Sequence, residues 1–95
     1  MSDLFETKFH SGQVVITPGA SKLLAKTGVN PLEFLERHLN CDWGIASKED
    51  WEWNDQAVVN GTKIFSAYTL DDDSKIWIIT ESDRSVTTIL LPDEY

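Results

Sequence analysis

The sequence has few of the features that mark secreted or membrane proteins. It contains one cysteine, Cys41, in 95 residues, which excludes an internal disulfide and favours the reducing cytoplasm. Its apolar runs, such as residues 76–79, fall far short of the ~20 residues that span a bilayer. The first ten residues, MSDLFETKFH, have neither the basic region nor the apolar core of a secretory signal. These absences predict a cytoplasmic protein without a membrane segment.

Motifs that hold phosphates or metals are also missing. The chain has no glycine-rich loop of the kind that cradles a nucleotide phosphate. Its imidazoles and thiol, on His10, His38 and Cys41, show neither CxxC nor HxxxH spacing. The acidic run DDDS at residues 71–74 lacks the spacing and the distal glutamate of a calcium-binding loop. The sequence therefore predicts no cofactor and no metal site.

Basic residues are scarce, and the imbalance is concentrated in one half. Eight Lys and Arg face sixteen Asp and Glu, for a net charge of −8. Residues 1–47 carry four basic against five acidic residues, whereas residues 48–95 carry four against eleven. Such a surface repels phosphate backbones, which argues against direct nucleic-acid binding. It favours a basic protein surface as partner, although solubility alone would also explain the charge.

The first half of the chain predicts a short strand followed by two helices. A hydrophobic content of 41% is typical of a globular chain, and the length suits a single domain over residues 1–95. The period of two in LFETKF and the β-branched QVVIT predict an N-terminal strand or hairpin. Thr17-Pro18 and Asn30-Pro31 are helix starts, and Gly28 is a helix stop.

The second half predicts a helix and a β-meander. The segments TKIFSAYTL, KIWIITE and SVTTILL have strand composition, and their short connections imply antiparallel neighbours. Residues 48–59 predict a third helix, although their partial apolar stripe leaves a loop with one helical turn as the alternative. The expected fold class is α+β, with two to three short helices packed on an antiparallel sheet that contains a C-terminal three-stranded meander.

A mixed acidic and aromatic segment, residues 42–55, is the main candidate for binding. An exposed aromatic ring among carboxylates suits a basic, amphipathic partner. Trp51 and Trp53 would point about 200° apart on a helix, so one should stay at least half exposed unless loops cover both. Trp77, in mid-strand, is predicted to be core. With the two acidic turns added, the candidate binding residues are Asp42, Trp43, Asp50, Trp51, Glu52, Trp53, Asp55, Asp71, Asp72, Asp73, Glu81, Asp83 and Arg84.

Two other classes of function compete with this interpretation. Helices followed by a meander also describe small toxin ribonucleases, in which His38, Tyr68 and Arg84 could be recruited as a catalytic site. Arg84 could instead anchor a partner, or form a local ion pair that holds its turn. A homodimeric structural protein, joined through a meander edge or an exposed tryptophan, is the third possibility.

Several motifs between residues 30 and 95 resemble a family of small uncharacterised bacterial proteins from plasmids and integrative elements, often labelled plasmid-related. They are DWG at 42–44, ND-x-A at 54–57, S-x-Y at 66–68 and WIITE-x-DRS-x-TT-x-LLP-x-EY at 77–95. The chain departs from that pattern at Cys41 and Ser82, where the family has Gly and Ala. The resemblance implies that the protein is cargo of a mobile genetic element, and it supplies no catalytic residue. In that context, the most specific hypothesis is an acidic inhibitor of a host nucleic-acid-binding or defence protein.

Overall fold

The computed structural model describes residues 7–95, which form three α-helices and a four-stranded sheet. This α+β architecture confirms the predicted fold class. The elements in chain order are β1 (Gln13–Ile16), α1 (Pro18–Thr27), α2 (Pro31–Leu39), α3 (Lys48–Asn60), β2 (Ile64–Thr69), β3 (Lys75–Thr80), β4 (Val86–Leu90) and a closing 3₁₀ turn (Pro92–Glu94).

Each helix begins where a side chain can satisfy a free backbone N–H group. Thr17, Asn30 and Ser47 occupy the three N-cap positions, and each accepts a hydrogen bond from the first helical turn. Gly28 and Gly61 end α1 and α3 in the left-handed conformation. The predicted third helix is confirmed over its full length, and the alternative of a loop with one helical turn is wrong.

The sheet is mixed rather than wholly antiparallel. Its strand order is β1-β4-β3-β2, and β2, β3 and β4 form the predicted antiparallel meander. Strand β1 joins the meander in parallel with β4. The predicted hairpin partner of β1 lies partly in residues 4–6, outside the described residues. In its described part, the Lys8 N–H group donates to the Leu39 carbonyl at the end of α2, so it does not pair with β1.

The helices pack on one face of the sheet, which we call the helix face. Ala20, Leu24 and Phe34 from α1 and α2 lie against strand side chains there. Because directly paired residues share a face, the strand register places these side chains on the helix face: Ile64, Ser66, Tyr68, Ile76, Ile78, Thr80, Thr87 and Ile89.

The opposite face, which we call the open face, carries a row of aromatic rings. Phe65 and Trp77 meet edge to face with ring centroids 4.9 Å apart, and Tyr95 packs against Trp77 at 5.8 Å. Trp77 is half-buried in this row and does not belong to the helix-side core that its mid-strand position suggested. Within residues 7–95, none of the three helices is long and apolar enough to cross a bilayer.

The outer edge of β2 is closed by two different devices. The side-chain amide of Asn54 on α3 donates to the Phe65 carbonyl and accepts from the Phe65 N–H group. One step along, Ala67 exchanges backbone hydrogen bonds with Trp43 and Ile45. The meander therefore has no free strand edge on this side, and β1 covers its other side.

Candidate functional site

The exposed side of α3 holds free carboxylates and an exposed aromatic ring. Ser47 caps this helix, and Asn54 and Ala57 are buried on its inner side. On its outer side the Trp53 side chain is 59% exposed. Glu49 and Asp50 lie four and three residues before Trp53 on the same side of the helix, and Glu52 directly precedes it. All three are exposed, and their carboxylates make no hydrogen bond or ion pair with the described residues. We call Glu49, Asp50, Glu52 and Trp53 the α3 acidic face.

Trp43 and Trp51 belong to the interior rather than to this face. Trp43 is fully buried and lies edge to face with both His38 and Trp51. The half-buried Trp51 donates its indole N–H to the Gly44 carbonyl at 3.3 Å. Loops do not cover both Trp51 and Trp53: Trp53 is the one left exposed, as the expectation of one exposed ring requires.

Other candidate carboxylates are engaged by neighbouring groups. Asp42 forms an ion pair with Arg37 at 2.8 Å and accepts the Gly44 N–H at 3.1 Å. The Arg37 hydrogen bond, opposed by partial burial, lowers the pKa of Asp42. Asp55 accepts the Trp43 indole N–H at 3.0 Å. Both carboxylates therefore hold the segment that precedes α3.

The two acidic turns lie at opposite ends of the sheet. The six residues of β3 separate them, a span of about 20 Å at ~3.3 Å per residue. In the first turn Asp72 accepts the Ser74 N–H group, and in the second Asp83 accepts the N–H and hydroxyl groups of Ser85. Glu81 lies 3.7 Å from the Lys63 amine. The candidate residues do not share one surface, and Asp71 to Asp73 are remote from Glu81, Asp83 and Arg84.

Arg84 clamps the end of α3 to the last turn of the meander. Its guanidinium donates to the backbone carbonyls of Ala57 and Thr62, at 2.9 and 2.8 Å, and also to those of Glu81 and Ser82 in its own turn. The four bonds engage both terminal nitrogens of the guanidinium, Nη1 and Nη2, with the backbone of the protein itself. The turn between β3 and β4 thus has a structural role, in which Arg84 binds backbone carbonyls instead of the partner or the local ion pair considered in the sequence analysis.

Replacing Arg84 by lysine should lower the free energy of unfolding by about 1 to 3 kcal/mol, because a lysine amine cannot reproduce the planar fork that serves several carbonyls. Urea denaturation measures this cost. Arg37→Lys is the matched control, since Arg37 holds a half-exposed ion pair whose loss should cost under about 1 kcal/mol. Equal costs for the two variants would contradict the clamp.

A chain of hydrogen bonds runs through the core from His38 to the N-terminal segment. The Thr87 hydroxyl donates to the Ser11 carbonyl at 2.7 Å, so it must accept the proton of Thr80. The Thr80 hydroxyl then accepts from His38 Nε2–H at 2.8 Å, which leaves Nδ1 to accept from the Ser66 hydroxyl at 2.6 Å. Because each hydroxyl has only one proton to donate, this series of hydrogen bonds requires the neutral Nε2–H tautomer of His38.

His38, Tyr68 and Arg84 do not line one cleft. Both rings are buried, and their polar atoms are used inside the protein. The Tyr68 hydroxyl donates to the Asp42 carbonyl at 2.7 Å, and burial raises its pKa. Burial, with the charge of Arg84, lowers the pKa of His38 to about 3. A group with so low a pKa is a poor general base near neutral pH.

The thiol and the carboxylates show no arrangement that suggests nucleophilic or metal chemistry. Cys41 is half-buried, and burial raises the pKa of its thiol, which is opposite to the activation that a nucleophile requires. Across residues 7–95, no group of three or more His, Cys, Asp or Glu side chains is placed to hold a metal ion.

Sequence reasoning missed two residues that position this region. Asn54 interrupts the apolar stripe of α3, and a polar residue at a core position is itself a signal that its side chain serves the backbone. Glu94 accepts from the Thr17 hydroxyl and from the Gly19 and Leu91 N–H groups. No local pattern predicts that contact, because 77 residues separate Glu94 from Thr17.

Many of the motif residues quoted in the sequence analysis hold the fold together. The contacts described above are made by five of them, and none projects a free polar group into a cavity: Asp42, Gly44, Asn54, Arg84 and Glu94.

Comparison with known proteins adds no family to this description: no protein-family model, curated protein or solved structure matches the chain.

Proposed function

We propose that this chain is a small acidic protein-binding module without a catalytic role of its own. The observation that carries the proposal is the α3 acidic face, where Trp53 is 59% exposed among three carboxylates that have no partner in the described residues. An aromatic side chain that becomes buried when the partner binds, with charged residues around it, is a common form of binding hot spot. The exposed ring would contact the aliphatic or cationic part of a basic side chain, and the carboxylates would pair with the charge.

The charge of the chain supports a basic protein as the partner. Residues 48–95, which include α3, hold most of the net charge of −8. That field accelerates encounter with a basic surface and disfavours nucleic acid. With the resemblance to plasmid-related proteins, it favours an accessory protein of a mobile element in the cytoplasm, which would occupy a host nucleic-acid-binding or defence protein.

A comparison of two charge-matched variants tests the site. In the first, Asp50→Asn and Glu52→Gln neutralise two acids beside Trp53. In the second, Asp71→Asn and Asp73→Asn neutralise two acids in the remote turn. A partner captured from bacterial lysate by the wild-type chain, identified by mass spectrometry and then purified, should bind the first variant at least about 10-fold more weakly, equivalent to ~1.4 kcal/mol. The second variant should stay within about 2-fold of wild type.

The aromatic ring has its own variant. Trp53→Ala keeps every charge and should also weaken binding of the purified partner by about 10-fold or more. Equal weakening by the two charge variants would show that net charge alone attracts the partner. Unchanged binding by Trp53→Ala and by the first variant would place the binding surface elsewhere and contradict the proposal.

A further inference from the structure

Strand β1 is an edge strand of the sheet, and its outer side is open within the part of the chain that the structure describes. It pairs with β4 only, and the sheet order puts nothing beyond it within residues 7–95. Val14, Val15 and Ile16 are each 36 to 38% exposed, so β-branched apolar side chains project from both faces of the strand. The edge at β2 is closed by Asn54 and by the segment that precedes α3.

The backbone of β1 offers its outward groups at alternate residues. The Gln13 and Thr17 N–H groups donate to the carbonyls of Ser85, just before β4, and of Ile89 on β4. Since successive residues of a strand point to opposite sides, the N–H and C=O groups of Val14 and Ile16 face outward. The outer edge therefore presents two donors and two acceptors in a row.

The charge around β1 differs from that of the rest of the molecule. Residues 11–21 contain no Asp, Glu, Lys or Arg, although a quarter of the chain is charged. Exposed edge strands of monomeric proteins usually carry charges, prolines or bulges that block pairing. For a chain of net charge −8, an uncharged edge is also where two copies would meet with the least repulsion.

We propose that β1 pairs with β1 of a second copy of this chain, in antiparallel orientation, to join two four-stranded sheets into one of eight strands. The register with Val14 opposite Ile16 of the second copy uses all the outward groups of both strands and forms four hydrogen bonds. The two-fold axis then passes beside Val15, which lies opposite Val15 of the second copy. A homodimer of this kind is isologous and closed.

The short strand predicts a weak dimer rather than an obligate one. A four-residue edge buries much less than the ~1,600 Å² of a standard interface, and smaller interfaces are typical of transient association. Sedimentation equilibrium or light scattering up to about 1 mM protein should therefore show the mass rise from 10.8 kDa towards twice that value. A wild-type chain that stays monomeric over this range overturns the proposal, whether the edge then serves a foreign strand or none.

Two substitutions at Val14 test whether the dimer forms through the edge of β1 or through another part of the surface. Val14→Pro removes one outward N–H group and leaves the ladder to β4 intact, which edge strands tolerate. Val14→Lys places a charge on the edge. Both variants should raise the dissociation constant of the dimer at least 10-fold. Val59→Lys introduces the same charge on α3, at a side chain 85% exposed, and should dimerise like wild type. Dimers that persist in both Val14 variants would place the interface elsewhere.

A cysteine scan tests the register independently. In a Cys41→Ser background, Val15→Cys should form a disulfide-linked dimer on oxidation, because directly opposed residues in a non-hydrogen-bonded pair have Cα atoms ~4.5 Å apart. Gln13→Cys is on the same face of β1, but the two introduced cysteines of a dimer would lie too far apart to form a disulfide, so this variant should stay reduced. Cross-linking of Gln13→Cys as fast as Val15→Cys would contradict the register and, with it, the paired edge.

Discussion

Acidification from pH 6.5 to pH 4.5 should lower the free energy of unfolding by about 2 to 3 kcal/mol through one side chain, His38. Burial, together with the charge of Arg84, lowers its pKa in the folded protein to about 3, against 6.5 when unfolded. Between these two values the unfolded chain binds more protons, so stability falls as the pH falls. Each pH unit in that window is worth ~1.36 kcal/mol.

The lower limit of pH 4.5 is chosen so that the effect of His38 on stability is measured apart from the effects of the carboxylates. The pKa values of Asp42, Asp83 and Glu94 are lowered by their hydrogen bonds to Arg37, Ser85 and Thr17. Their contribution to stability is present above their unfolded pKa values, 3.8 for the two aspartates and 4.5 for Glu94, and is lost as the pH falls below them. The loss between pH 6.5 and 4.5 is therefore assigned to the buried imidazole.

Urea denaturation at several pH values, in wild type and two variants, measures this effect. His38→Gln keeps a polar side chain next to Ser66 and Thr80 but cannot titrate, so its stability should be nearly flat from pH 6.5 to 4.5. His10→Gln removes the other imidazole, which is exposed and accepts the Gly12 N–H, so comparing the two variants shows which histidine produces the slope. A slope that survives in His38→Gln would show that another group is responsible.

Gly44→Ala should lower the free energy of unfolding by well above about 3 kcal/mol. Gly44 has φ 68° and its Cα faces the edge of β2. A methyl group there would overlap the Ala67 carbonyl oxygen and lie 2.6 Å from the Tyr68 ring. The substitution therefore adds a steric clash to the ordinary penalty for a side chain in the left-handed region.

Gly61→Ala is the matched control for this prediction. Gly61 has a similar φ of 75°, but a methyl group there would have nothing within 4 Å. Its cost should be only the conformational penalty, about 1 to 2 kcal/mol. Chemical denaturation of both variants, with linear extrapolation to water, gives the comparison. Equal costs would mean that the segment before α3 can move away from β2, and would contradict its role in closing that edge.

Elements whose signals are local could be predicted from sequence. Thr17, Asn30 and Gly28 act on backbone groups within a few residues, so their helix boundaries can be read without knowing the fold. The meander followed from short turns, which restrict neighbouring strands to antiparallel pairing. The parallel pairing of β1 with β4 was not predicted, because it joins segments more than 70 residues apart and no turn specifies it.

The candidate site was predicted only in part, because composition does not show which polar groups already have partners. Asp42, Asp55 and Arg84 have the residue types of a binding surface, but in the fold they hold backbone and indole groups. Glu49 and Asp50 lie four and three residues before Trp53, so the helical period could place them on its side of α3. Only packing showed that Trp51 turns inward and Trp53 does not.

By itself, the sequence determined the elements, the acidic second half and the uncharged stretch around β1, because these depend on residues that are close in the chain. Only the tertiary structure decided which strand edge stays open, which carboxylates remain free and which tautomer His38 adopts. Those outcomes depend on hydrogen-bond partners that are distant in sequence, such as Asn54 with Phe65 and Thr87 with Ser11. A buried polar group must find such a partner, and the fold determines which one lies within reach.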